Sequence, residues 1–136
     1  MLSADQLEVF HKGGVLAIPN LFDQDEVDAI TARLPRLFGE RCPENFRERS
    51  SDVVRTAMGL HLRDDLFARL VRDPRFIEPA QQILGDDDLY IQQVKVNAKE
   101  AFTGEQWQWH YDYATHHRED VCPSRPRSTC TSSSTR

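Results

Sequence analysis

The sequence predicts an α+β fold in which a group of helices precedes a sheet. Segments with helical spacing and capping residues occupy most of the chain up to Gly85. Two segments with strand-like character, Tyr90–Lys99 and Trp107–Tyr113, follow them. Helices that come first and strands that come later are typical of the α+β class.

The composition is that of one soluble globular domain or part of one. The 136 residues are 39% hydrophobic and 29% charged, with a formal net charge of −5. This charge argues against a nucleic-acid-binding protein, which needs a basic surface. Neither a signal-peptide pattern nor an apolar run of the roughly 18–20 residues that span a bilayer is present, so we expect a cytoplasmic protein without membrane partners.

Two capping boxes predict the first helices. Ser3 with Gln6 begins one helix, and the pair Gly13–Gly14 ends it through the left-handed conformation. Asp23 with Glu26 begins a second helix with several acidic residues at its positive end. Pro35 lies within the apolar pattern of that helix, so we expect a kink or an early end.

The short apolar run Val15–Ile18 predicts a strand between these helices. Residues 40–52 are charged and contain a proline, which favours a loop. Val53–His61 is interpreted as a strand that lines a pocket, and Asp64–Val71 as a short helix. A further helix begins after the N-cap Asp73 and ends at Gly85.

The segment Tyr90–Lys99 alternates between two kinds of side chain. One face is mostly apolar, whereas the other carries Gln93, Lys95, Asn97 and Lys99. By itself this polar stripe favours a solvent-facing strand. It also fits the inner wall of a barrel that binds an anionic small molecule.

His110 and Asp112 are the candidate metal ligands. A spacing of two residues on an extended strand places both side chains on the same face. They would supply two thirds of the 2-His-1-carboxylate triad that holds non-haem Fe(II). The ordinary alternative is a surface histidine and aspartate. No histidine follows His117, so the third ligand is missing from these residues.

The sequence resembles the phytanoyl-CoA dioxygenase family, and within it the bacterial branch of ectoine hydroxylases. The resemblance covers about residues 1–121 and is carried by three motifs and the N-terminal order of helices. These motifs are Gln93-x-Lys95-x-Asn97-x-Lys99, Trp109-His110-x-Asp112-Tyr113-x-Thr115 and Arg118-Glu119-Asp120.

The resemblance implies an Fe(II)/2-oxoglutarate dioxygenase whose helices pack on an incomplete double-stranded β-helix, a jelly-roll or cupin-like core. It implies that His110 and Asp112 bind iron and that Gln93 and Asn97 contact 2-oxoglutarate. Arg55, His61 and Lys95 would then hold the small-molecule substrate, which their charges suit if it is amino-acid-like. An ordinary core or surface position is the alternative for His61.

Residues 122–136 differ in character from the rest, because serine, threonine, arginine and proline dominate and almost nothing is apolar. We expect this tail to be disordered and to derive from a frameshifted or truncated reading frame. Members of the family need a distal histidine and an arginine that pairs with 2-oxoglutarate, and both are absent here. We therefore expect this form to be inactive by itself. The alternative function is that of a non-catalytic remnant or binding module.

Overall fold

The computed structural model describes residues 1–99. The elements run in the order α1 Ala4–Gly13, α2 Gln24–Thr31, α3 Leu34–Gly39, β1 Asn45–Arg47, β2 Val54–Met58, α4 Leu60–Arg63, α5 Asp65–Leu70, α6 Pro74–Leu84 and β3 Lys95–Asn97. Within the described residues this is an α+β fold, as the sequence predicts. The expectations for Trp107–Tyr113 and for the tail 122–136 lie outside the described residues.

The helix ends follow local sequence rules. Both predicted capping boxes are confirmed, with the Ser3 and Asp23 side chains accepting from the backbone N–H of the third helical residue. Gly14 ends α1 in the left-handed conformation. The predicted effect of Pro35 is also confirmed: the long apolar pattern is divided into α2 and α3, and the proline lies in the first turn of α3.

Four predictions about strands and loops need correction. Val15–Ile18 is not a strand, and no backbone hydrogen bond joins it to another described residue. The segment 40–52 contains β1, which pairs with β2. The strand predicted for Val53–His61 ends at Met58, where Gly59 turns the chain into α4. Only Lys95–Asn97 of the segment Tyr90–Lys99 forms a strand.

The physical reason is that a strand exists only where another strand offers ladder hydrogen bonds. An apolar run such as Val15–Ile18 shows the propensity for a strand but does not reveal whether a partner lies beside it. Conversely, the charged segment around β1 pairs because the chain turns back on itself between Arg47 and Val54.

By its contacts the chain divides into two units. The described part of the first comprises Met1–Pro19 and Glu78–Asp88. Here the Gln82 side-chain amide bonds the backbone N–H and C=O of Leu2, whose side chain is buried. The Met1 ammonium pairs with Glu78 at 2.8 Å.

The described part of the second unit comprises Asn20–Ile77 and residues 89–99, and it holds the sheet. The sheet is antiparallel, in the order β1-β2-β3. Its core consists of five buried side chains, against which further apolar residues pack: Leu37, Val54, Ala57, Leu60 and Phe67. Since α3 contributes Leu37 and α5 contributes Phe67, helices cover one face of the sheet.

Arg75 at the start of α6 joins several segments of this second unit. Its guanidinium bonds both carboxylate oxygens of Glu26, both of Asp73 and the carbonyl of Leu21. It also lies over the Phe22 ring, with 4.5 Å between the guanidinium carbon and the ring centroid. The first turn of α6 is thereby tied to the start of α2.

No helix within residues 1–99 is long and apolar enough to cross a membrane.

Candidate functional site

The candidate site lies on the face of the sheet opposite the core. The register pairs Thr56 with Asn97, Ala57 with Val96, and Met58 with Lys95. Residues directly opposite each other share a face, and alternate residues of a strand also share one. Ala57 and Val96 face the core, so the other four side chains form the second face. We call this second face the polar face, comprising Thr56, Met58, Lys95 and Asn97.

Asn97 is held on the polar face by Thr56. The Thr56 hydroxyl Oγ1 donates to the Asn97 Oδ1 at 3.0 Å. Thr56 is buried and Asn97 is half-buried. Among the described residues the Asn97 Nδ2 makes no hydrogen bond. Its two N–H donors therefore suit an acceptor on a bound molecule.

Lys95 lies two residues before Asn97 on the same strand and face. Its side chain is half-buried, and no carboxylate in residues 1–99 forms an ion pair with it. A partly buried ammonium without a counterion attracts an anionic group. Lys95 and Asn97 thus form a cationic, donor-rich strip.

Arg55 lies at an irregularity in the sheet. The register pairs Phe46 with Thr56 and Arg47 with Val54, so Arg55 is an extra residue on β2. Its guanidinium pairs with Glu48 at 3.4 Å, and the Glu48 side chain is 3% exposed. Because a bulge re-aims the bulged side chain, Arg55 departs from the simple alternation that the sequence suggests.

His61 follows β2 by way of a sharp turn. Gly59 adopts a φ of 63°, a left-handed conformation that glycine tolerates, and its N–H bonds the Val94 carbonyl at 2.8 Å. This bond ties the turn to the residue that precedes β3. The buried His61 Nδ1 has no hydrogen-bond partner among the described residues. A buried nitrogen without a partner costs stability unless water or a ligand satisfies it.

Gln93 lies before β3 rather than within it, and its side chain is exposed. It makes no hydrogen bond within the described part of the chain. The structure places Lys95 and Asn97 on one face of β3 and Arg55 on the neighbouring strand β2. His61 follows β2 in the chain, and Gln93 lies two residues before β3 with an exposed side chain.

His110 and Asp112 lie outside the described residues, so their assignment as metal ligands stays a prediction. Within residues 1–99 no group of three histidine, cysteine, aspartate or glutamate side chains could hold a metal ion. The described polar face carries one ammonium and one side-chain amide, which suit an anionic group rather than a cation.

A cavity of about 510 Å³ opens in the second unit, at the end of β3. It is lined by Phe38, Gly39, Arg47, Asp52, Val53, Val54, Ala98 and Lys99. None of these residues is a predicted site residue. We therefore assign the candidate site to the polar face, which carries the predicted site residues Lys95 and Asn97, and not to this cavity.

Sequence reasoning missed Thr56 of the polar face and the neighbouring Phe46 of β1. Thr56 was not distinguished from its neighbours in the strand, and Phe46, which is 57% exposed opposite Thr56, lies in a segment interpreted as a loop. The pairing of Thr56 with Asn97 joins residues 41 positions apart. No local pattern in the sequence encodes that register.

The fold is similar to that of solved structures of EctD. EctD from S. alaskensis, in a crystal structure with bound Fe, matches with a TM-score of 0.78 at 29% identity, covering 85% of this chain and 42% of that one. The crystal structure of EctD with 2-oxoglutarate and 5-hydroxyectoine gives a TM-score of 0.81 at 30% identity, covering 88% and 43%.

Sequence relatives point the same way. The ectoine dioxygenase of Bordetella bronchiseptica is 38% identical over 133 residues, which are 95% of this chain and 43% of the relative. The L-proline trans-4-hydroxylase of Streptomyces griseoviridis is 37% identical over 111 residues, 82% of this chain and 41% of the relative.

The family model described as Phytanoyl-CoA dioxygenase (PhyH) matches residues 10–134. The chain therefore belongs to the phytanoyl-CoA dioxygenase family, which confirms the resemblance seen in the sequence. It spans less than half the length of these curated relatives.

Proposed function

We propose that the protein is an Fe(II)/2-oxoglutarate-dependent hydroxylase of a small polar metabolite, with a sheet that belongs to a double-stranded β-helix. Family membership supports this proposal. The names of the relatives, ectoine dioxygenase and L-proline trans-4-hydroxylase, support the class of substrate. The EctD structures with Fe and with 2-oxoglutarate support the cofactor and the cosubstrate.

The observation that carries the proposal is the arrangement of Lys95 and Asn97 on the polar face. Neither the Lys95 ammonium nor the Asn97 Nδ2 has a partner among the described residues, although both side chains are half-buried. Donors without protein partners need an acceptor, which water or a bound ligand can supply. A carboxylate group, whether of 2-oxoglutarate or of an amino-acid-like substrate, meets that need.

Each predicted residue has a role in this proposal. His110 and Asp112 bind Fe(II), and Gln93 and Asn97 contact 2-oxoglutarate. Arg55, His61 and Lys95 hold the substrate. When bound, the iron supplies the oxidative chemistry that couples decarboxylation of 2-oxoglutarate by O₂ to insertion of oxygen into a C–H bond, giving succinate, carbon dioxide and the alcohol. The chain's own residues bind, orient and neutralise the two anions.

Residues 1–136 by themselves supply two protein ligands for a three-ligand iron site. We therefore propose that this polypeptide alone binds metal weakly and turns over little. The open edges of a partial barrel would add to this weakness. Substrate and partner of the whole protein remain part of the proposal, with ectoine and L-proline as the first compounds to assay.

The test is a thermal-shift measurement on the 136-residue chain with Mn(II), a redox-stable substitute for Fe(II), and 2-oxoglutarate at millimolar concentrations. A ligand that binds only the native state raises the melting temperature. Because the chain by itself binds metal weakly, we expect a small shift that appears only at these high concentrations, requires both additives and disappears in His110→Ala. Succinate release with Fe(II), O₂ and each candidate substrate gives the second readout.

The matched control is His11→Ala, because His11 is an exposed histidine in the last turn of α1. It should keep the shift of the native chain. A shift that survives His110→Ala would remove His110 from the site. No shift with any combination of additives would favour the alternative, a non-catalytic binding module.

A further inference from the structure

We infer that Thr56 is a positioning residue for the cosubstrate: its hydroxyl fixes the Asn97 side-chain amide so that the amide N–H groups are presented to 2-oxoglutarate. The inference rests on the proposed function, because it takes Asn97 as a cosubstrate contact. It assigns a task to Thr56, a residue of the central strand to which no motif in the sequence draws attention.

The geometry begins with the pairing across β2 and β3. Thr56 lies directly opposite Asn97, and its Oγ1 donates to Asn97 Oδ1 at 3.0 Å. A primary amide carries its acceptor on one side and its two N–H donors on the other. Since the oxygen is directed at Thr56, the Nδ2 donors are directed away from β2.

Burial of the hydroxyl makes this orientation the favoured one. If the amide were flipped, Nδ2 would donate to the threonine oxygen and the hydroxyl proton would lose its acceptor. Thr56 is only 8% exposed, so water cannot readily replace that acceptor. The cost of an unpaired buried hydroxyl therefore selects one of the two amide orientations before any ligand arrives.

The two N–H donors that result are unused within residues 1–99. They lie on the same face as the Lys95 ammonium, two residues away along β3. Alternate residues of a strand are about 6.6 Å apart, a distance that one small anion can bridge. Preset donors gain affinity because the ligand does not have to pay for ordering them.

A purely structural cross-strand pair is the alternative role for Thr56. The two roles can be distinguished by a variant that removes the Thr56 hydroxyl and keeps the shape of the side chain. Thr56→Val keeps a β-branched side chain of nearly the same size but cannot bond Asn97. Thr56→Ser keeps the hydroxyl. Thr31→Val is the matched control, because among residues 1–99 the Thr31 hydroxyl bonds only the Val27 carbonyl within α2.

The experiment uses the 15N-labelled 136-residue chain with Zn(II) as a diamagnetic substitute for Fe(II). Titration with 2-oxoglutarate is followed by the Asn97 side-chain amide resonances, which Asn97→Asp identifies by their loss, and urea unfolding of every variant is measured in parallel. We expect saturable movement of these resonances in the native chain, Thr56→Ser and Thr31→Val. In Thr56→Val we expect an affinity lower by about five- to ten-fold.

Asn97→Asp provides a second test of the inference that does not depend on how well Thr56→Val folds. An aspartate still accepts from Thr56 but has no donors, so it should lose 2-oxoglutarate binding while its urea midpoint changes little. Native affinity in Thr56→Val or in Asn97→Asp would overturn the inference. So would a native chain that binds 2-oxoglutarate without any movement of the Asn97 resonances, and that result leaves the proposed function standing. A native chain that binds no 2-oxoglutarate overturns both.

Discussion

Asn45 and Arg63 bond each other at the C-terminal end of α3, where Arg63 Nη1 donates to Asn45 Oδ1 at 3.0 Å. Asn45 Nδ2 in turn donates to the carbonyl of Leu37 at 2.7 Å, and Arg63 Nη2 donates to the same carbonyl at 3.2 Å. Helix carbonyls at a C-terminus have no partners within the helix. Two side chains from outside α3 satisfy them and thereby fix the helix against the sheet.

Asn45→Ala should therefore destabilise the fold by about 2–3 kcal/mol, because it removes the hydrogen bonds of Asn45 to the carbonyls of Leu37 and Glu40 and the one it accepts from Arg63. Urea unfolding measures the change in the free energy of unfolding. Gln24→Ala is the control, since the Gln24 bond to Asp28 is exposed, and it should cost less than about 0.5 kcal/mol. Equal costs for the two variants would contradict the role given to Asn45. In a double mutant with Arg63→Leu, the two costs should not add.

Leu37 should be the most sensitive apolar position of α3. Its side chain is fully buried in the core, so Leu37→Ala should lower the free energy of unfolding by about 2–5 kcal/mol. Leu62→Ala removes the same atoms from a side chain that is 82% exposed and should change stability by less than about 0.5 kcal/mol. Urea midpoints of both variants provide the comparison. If Leu37→Ala changed the free energy of unfolding as little as Leu62→Ala, the core would not depend on Leu37.

Acid should weaken the link between α2 and α6. The hydrogen bonds from Arg75 lower the pKa of Asp73 from 3.8 to about 2. Hydrogen bonds from Arg75 likewise lower the pKa of Glu26. A lowered carboxyl pKa stabilises the native state above the unfolded value and loses that effect as the pH falls through the native value. The contribution of Asp73 should thus disappear between about pH 3.8 and about pH 2.

Carboxyl NMR titration of Asp73 measures this directly. In Arg75→Gln the pKa of Asp73 should rise toward its ordinary value. Arg72→Gln is the control, because Arg72 bonds only the Ala68 carbonyl within the described residues. An unchanged Asp73 titration in Arg75→Gln would show that the guanidinium is not the cause.

His61 should show opposite effects on stability and on binding. Its buried Nδ1 lacks a partner among the described residues, so His61→Leu should leave the free energy of unfolding unchanged or raise it by about 1 kcal/mol. The same variant should weaken binding of whichever compound the hydroxylation assay identifies as substrate. Differential scanning calorimetry and a binding titration supply the two numbers, with the exposed His11→Leu as control. A destabilised variant that still binds would make His61 a structural residue.

The helices could be predicted because their signals are local. The capping box of Asp23 and Glu26 lies within four residues, and Pro35 acts on its own turn. Strands were less predictable. β1 lies in a charged segment that does not look like a strand. Its pairing with β2 depends on a turn and not on its own composition.

The candidate site likewise has a part that local sequence signals predict and a part that depends on pairing between distant segments. Lys95 and Asn97 could be found because they alternate along one strand. The hydrogen bond between Thr56 and Asn97, and the bulge that re-aims Arg55, depend on a register between distant segments. His110 and Asp112 remain predictions from spacing and resemblance.

The pairing of the Met1 ammonium with Glu78, and of the Leu2 backbone with Gln82, has a practical consequence for protein production. An affinity tag fused before Met1 would replace the ammonium with a peptide bond and remove its charge pair with Glu78. A tag that leaves scar residues after cleavage would do the same. Samples for the calorimetric and NMR comparisons should therefore be produced with an unmodified first residue, and purified without an N-terminal fusion.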